Sequence, residues 1–96
     1  MKKLSLVAIV TAKQGEKDFI KKEIEKLIPI TRKENGCINY NFFIDNKNDH
    51  RFLLQENWES YDLWQDHMNN DHMKNYSEVT KDAVETWELI ELTQVD

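Results

Sequence analysis

The chain has 96 residues, enough for one domain and too few for two. Lys plus Arg number 13 against 18 Asp plus Glu, a net charge of −5 with no basic patch, so nucleic acid is not an expected partner. The single cysteine, Cys37, allows no disulfide within the chain, which excludes the disulfide-stapled secreted class. A chain of this size hides only about 60–65% of the surface that its unfolded form exposes, which favours an oligomer. The start, from Met1-Lys2-Lys3-Leu4 to Thr11, has the charge and apolar content of a signal peptide. Its apolar run is short, contains Ser5 and Thr11, and meets Lys13 and Gln14 without a cleavage-like site, so it reads as a strand. No stretch approaches a membrane span. The expectation is one cytoplasmic domain over residues 1–96, with no membrane partner.

Leu4 to Ala12 is rich in aliphatic and β-branched residues, as a strand requires, and Lys13-Gln14-Gly15 closes it. From Glu16 to about Glu34, Ile20, Ile24, Leu27, Ile28 and Thr31 make the stripe of an amphipathic helix, with Lys17, Lys21, Lys22, Glu25 and Lys26 opposite. Pro29 inside that pattern removes a hydrogen bond and predicts a kink or a change of pitch. Asn35-Gly36 stops the helix, with Gly36 suited to a left-handed turn. Cys37 to Ile44 is a second strand with Ile38, Tyr40, Phe42 and Ile44 on one face. Asp45 to Asp49 is a polar turn, and Arg51 to Trp58 a third strand in which Phe52, Leu54, Glu56 and Trp58 alternate with polar neighbours.

Ser60, with Asp62 behind it, is a helix cap for Tyr61 to Met68. A break at Asn69-Asn70 follows, and Asn70 caps a second segment whose face carries His72, Tyr76, Val79 and Ala83. Thr86 to Val95 alternates as a fourth strand. The order β-α-β-β-α-β is an α+β, ferredoxin-like pattern. The first and fourth strands are apolar on both faces, yet helices cover only one face of such a sheet. A second copy of the sheet is the simplest cover for the other face, so a homodimer is expected.

The runs Gly15-Glu16-Lys17-Asp18-Phe19, Thr31 to Tyr40 and Phe52 to Ser60, with His67 and His72 behind them, resemble the antibiotic biosynthesis monooxygenase (ABM) family across nearly the whole chain. The nearest look is to its small quinol-monooxygenase-like members. The resemblance implies a dimeric α/β barrel of two ferredoxin-like units, with a pocket between each sheet and its helices. It leaves the activity open, because the family includes cofactor-independent oxygenases, haem-degrading enzymes and a branch acting on a phosphorylated sugar. The aromatic-polyketide branch has an asparagine where this chain has Leu54, an aromatic hydroxyl where it has Trp64, and an arginine near Glu78. The haem-degrading branch has an asparagine at Val7 and a histidine near Tyr76 or Ser77. Neither specificity carries over.

His67 and His72 are the candidate catalytic residues, since a neutral imidazole is the natural acceptor of a phenolic proton. The plainer alternative has His72 capping the pocket through a backbone carbonyl and His67 at the surface. No metal site is expected. Five residues apart on a continuous helix, the two rings diverge by about 140°, although a break at Asn69-Asn70 relaxes that geometry, with Asp66 or Asp71 as oxygen donors. Trp58, Trp64, Tyr40 and Tyr76 are candidate linings for a flat aromatic substrate, beside ordinary core roles. Glu56, among apolar neighbours, either carries a raised pKa, pairs with a histidine, or pairs with Arg51 or Arg32 across the dimer. Asn41 faces the pocket or solvent. Cys37 lacks a local base or cation and reads as packing.

The leading expectation is a monooxygenase that needs no cofactor and oxidises a quinol or similar phenol with O2. An isomerase of a small hydroxy-ketone, or of its phosphate ester, is the alternative enzyme. A dimer that only binds an aromatic ligand is the non-catalytic one.

Overall fold

The computed structural model describes residues 3–96; Met1 and Lys2, the charged start of the apolar run, lie outside the described residues. Seven elements follow in order: β1 (Leu4–Ala12), α1 (Lys17–Arg32), β2 (Cys37–Asp45), β3 (Asn48–Trp58), α2 (Tyr61–Met68), α3 (Asp71–Thr80) and β4 (Val84–Leu92). The strands form one antiparallel sheet in the order β2-β3-β1-β4, the ferredoxin-like arrangement.

The amphipathic stripe of α1 turns inward as its spacing requires, burying Ile20, Ile24, Leu27 and Thr31. The helix runs unbroken through Pro29, which is exposed. Gly36 adopts the left-handed conformation, φ +89°, that carries the chain from α1 into β2. The turn between β2 and β3 is shorter than Asp45 to Asp49. Asp45 accepts from the Lys47 amide and from Arg51 Nη1, and this tying of the hairpin tip extends the ladder to an Asp45–Asn48 pair. The helical segment after β3 is capped twice: Ser60 accepts from the amide of Leu63, and Asn70 from that of Met73.

Two expectations are corrected here. Val79 is 42% exposed; the buried residue of that turn is Thr80, four past Tyr76, whose hydroxyl donates to the Tyr76 carbonyl at 2.6 Å. β4 begins at Val84 and ends at Leu92 because, among the described residues, its only partner is β1, whose ladder runs out at Ser5.

Residues directly opposite one another across the ladders share a face. Leu6, Glu56 and Tyr40 therefore lie in one row beneath the helices, beside Val10, Phe52, Leu54 and Trp58. Ile20 and Ile24 close over one part of this face with Val10, Tyr40, Phe52 and Leu54, while Trp64 closes over Leu6 and Trp58. The other face carries Val7, Ile9, Phe43, Leu53, Ile90 and Leu92, and among the described residues no helix covers it. Phe43 is 52% exposed there and Leu92 43%. Among the described residues no helix is long and apolar enough to cross a membrane.

Candidate active site

The helical break does what the sequence offered as an exception. Because α2 stops at Met68 and α3 restarts at Asp71, His67 and His72 do not diverge; their ring centroids lie 6.0 Å apart. Both meet Glu34, in the turn between α1 and β2. Its oxygens lie 2.5 Å from His67 Nδ1 and 3.6 Å from His72 Nε2. Asn70 donates its side-chain amide to the same carboxylate while its Oδ1 caps α3. Glu34 is itself fixed, since its amide donates to Thr31 and its carbonyl accepts from Cys37. The neighbouring acids Asp66 and Asp71 are exposed and are not members of this cluster.

His67 is 1% exposed, so the alternative that left it at the surface is overturned. It lies where the two parts of the core meet, tilted against Trp58 at 4.7 Å and edge-on to Tyr40 at 5.9 Å. Burial, with His72 adding to it, pushes its imidazole down to about 4. The ring is therefore neutral near pH 7 and donates Nδ1–H to the carboxylate, the arrangement that orients a histidine in acid–base sites. Burial raises the Glu34 carboxyl above its ordinary range, opposed by the nearby His72. His72 is half-buried, and its Nε2 is shielded from solvent with no hydrogen-bond partner.

The other candidates are sorted by the sheet. Trp58 and Tyr40 are 0% and 1% exposed and pack as core rather than lining an open cavity. Burial raises the Tyr40 phenol well above its usual value. Trp64 is likewise buried, against Leu6 and Trp58, with Tyr61 edge-on at 5.5 Å. Tyr76 is half-buried on the α3 face that begins with His72, and burial lifts its phenol to about 12. Within the chain Glu56 pairs with neither arginine: Arg32 Nε donates to the Tyr40 carbonyl at 3.1 Å and Arg51 to Asp45. It accepts instead from Trp58 Nε1 at 3.0 Å, and burial raises its carboxyl to about 7. Asn41 is not part of the site. It lies on the open face, donating to Gln55 at 3.4 Å, because alternation from the inward Tyr40 turns it outward. Cys37 is half-buried, and burial pushes its thiol up, away from a reactive thiolate.

Two surface cavities open elsewhere. One of about 380 Å³ is bounded by Ile9, Phe43, Leu53 and Arg51, and one of about 200 Å³ by Leu4, Tyr61 and Leu92.

A profile of the antibiotic biosynthesis monooxygenase family matches residues 4–79. The chain belongs to that family. A search of curated proteins gave no match. Among solved structures, this ABM chain is similar to PA3566 from Pseudomonas aeruginosa at 24% identity and a TM-score of 0.95, over 100% of this chain and 97% of that one. SO0527 from Shewanella oneidensis is also 24% identical, with a TM-score of 0.93 over 97% and 91% of the two chains. A third, described as an antibiotic biosynthesis monooxygenase, is 20% identical with a TM-score of 0.91 over 97% and 99%. At such identities the likeness establishes the ABM fold, and residue roles rest on the geometry above.

Proposed function

We propose that this ABM-family chain is a cytoplasmic, cofactor-independent monooxygenase that oxidises a quinol or similar phenol with O2, acting as a homodimer. The observation that carries the reading is the convergence of two imidazoles on the Glu34 carboxylate beside Trp58 and Tyr40. His72 is the proposed base. Its ring keeps solvent-facing surface that a substrate can reach, and Glu34 stands 3.6 Å from Nε2 to stabilise the imidazolium formed when the proton arrives. His67, too buried to touch substrate in this state, positions Glu34 from the other side.

Removing one hydroxyl proton gives a phenolate rich enough to reduce O2 directly. For a hydroquinone, one oxygen atom bonds to a ring carbon and the other leaves as water. The ring C–H at that carbon is broken as the C–O bond forms, and hydroquinone plus O2 balances as hydroxyquinone plus water. All four electrons are supplied by the substrate: two from that C–H bond and two from oxidation of the ring to the quinone. The apolar surroundings keep water from the anion. The uncovered sheet face, with Val7, Ile9, Phe43, Leu53, Ile90 and Leu92 in one apolar band, supports pairing with a second copy.

The test is O2 uptake by metal-stripped protein across a panel of quinols, set against heat-denatured protein to correct for autoxidation. Uptake above that background, lost in His72→Ala with ligand binding retained, is the expected result. No uptake across the panel, with Trp fluorescence still reporting saturable binding, overturns it in favour of a binding module.

A further inference from the structure

We infer that Glu34, His67 and His72 form a binding site for a divalent first-row transition-metal ion such as Zn2+. One donor atom from each residue lies within 4.8 Å of the other two. Two imidazole nitrogens and a carboxylate oxygen are the donor set of open tetrahedral zinc sites and of the two-histidine, one-carboxylate triad, and their mixed N and O character disfavours Mg2+ and Ca2+. Ligands bonded at the usual zinc distances stand roughly 3.4 Å apart in a tetrahedron. His72 Nε2 and Glu34 Oε1 are already 3.6 Å apart.

The His67 contact, at 2.5 Å, is a proton's distance rather than a metal's. Loading therefore replaces the Nδ1–H···O bond and parts the two atoms by about an ångström, the ring proton moving to Nε2. Two further observations favour an ion. His72 Nε2 is a buried nitrogen with no hydrogen-bond partner, so its lone pair is unspent. The Asn70 amide donates to Glu34 Oε1, as outer-shell donors do to ligating carboxylates in built metal sites. Glu34 and His72 keep 18% and 22% of their side-chain surface, so the cluster borders solvent on their side. The site needs only these lone pairs, so it goes beyond the proposed monooxygenase and does not depend on it.

Calorimetric titration of the metal-stripped, full-length protein with Zn2+ tests it, without quinol or O2. One ion per chain, bound at micromolar Kd or tighter and not displaced by millimolar Mg2+, is expected. His72→Ala and Glu34→Gln each weaken it at least tenfold, whereas His50→Ala, at an exposed Asp49–His50 pair on the hairpin, leaves it unchanged. The two site variants remove groups with solvent-facing surface and keep the native circular dichroism, and bound Co2+ shows the intense visible bands of low coordination number in the parent alone. Binding that survives His72→Ala and Glu34→Gln, or vanishes in His50→Ala, overturns the site. So does the absence of heat at millimolar Zn2+. An inactive protein that still binds the ion overturns the monooxygenase reading alone.

Discussion

Trp58 donates its indole N–H to Glu56 across 3.0 Å, so the largest fully buried side chain of the chain is tied to a buried carboxyl two residues away on the same strand. Glu56 sits between Leu6 and Tyr40 in the row beneath the helices, where a negative charge is poorly solvated. Its carboxyl is accordingly raised to about 7 from 4.5, chiefly by burial and despite the indole bond.

The folded state therefore holds a proton on Glu56 that the unfolded chain has already released. That preference is fully present below about pH 4.5 and is lost as pH rises through 7, so stability falls across this window. The full shift corresponds to about 3 kcal/mol. Glu56→Gln keeps an oxygen for the indole and removes the charge. Thermal melts from about pH 5 to 8 should show the parent losing Tm with rising pH and the variant losing much less, so that the variant is the more stable at the alkaline end. Parallel curves would sink the assignment.

The turn that delivers Glu34 depends on Gly36. A Cβ there would lie 2.6 Å from Leu63 Cδ1 and 2.7 Å from Leu63 Cβ, and φ is +89°. Gly15 shares a positive φ, +83°, but faces open space. Gly15→Ala thus carries only the left-handed penalty of about 1–2 kcal/mol. Gly36→Ala adds overpacking against α2, for a total of about 2–5 kcal/mol. Chemical denaturation should rank them in that order, and equal losses would mean that α2 yields freely at Leu63.

What the sequence made legible was local. The α1 stripe, the two caps and the break at Asn69-Asn70 are written in residues within one or two turns of each other, and each formed as its spacing requires. Strand alternation puts Tyr40 and Asn41 on opposite faces, but which of the two faces inward came only with the register of β2 against β3. Glu34 escaped because its role is set by contacts 33 and 38 residues along the chain, with His67 and His72; locally it is one more acid at the end of a charged helix. The only signal was the Asn-Gly stop beside it, which marks a turn but not what the turn presents. The depth of His67 was hidden for a similar reason. Its burial comes from Trp58 and Tyr40, two strands of the sheet, rather than from its own short helix.

Asn70 joins the fold to this cluster, since one side of its amide caps α3 and the other holds Glu34. Replacement by Ser keeps a capping oxygen and loses the donor, whereas Ala loses both. Asn70→Ala should destabilise by about 1 kcal/mol more than Asn70→Ser. Both should loosen Glu34, read as a matched weakening of Zn2+ binding. If Asn70→Ser binds the ion as tightly as the parent, the amide has no part in holding the carboxylate.

The open sheet face gives the last test. Leu53 is half-buried there, paired with Ile9 on β1 and Phe43 on β2, at the middle of the apolar band. In a sheet-to-sheet dimer, Leu53→Glu forces a carboxylate from each protomer into an interface with no cation other than Arg51 nearby on that strand. Burying an unpaired charge costs several kcal/mol, enough to dissociate a small dimer at micromolar concentration. Val79→Glu makes the same change on the exposed side of α3 and serves as the control. Light scattering should return a dimer mass for the parent and the control, and a monomer mass for Leu53→Glu. A monomeric parent would leave Phe43, Ile90 and Leu92 facing water and would remove the basis for pairing through this sheet.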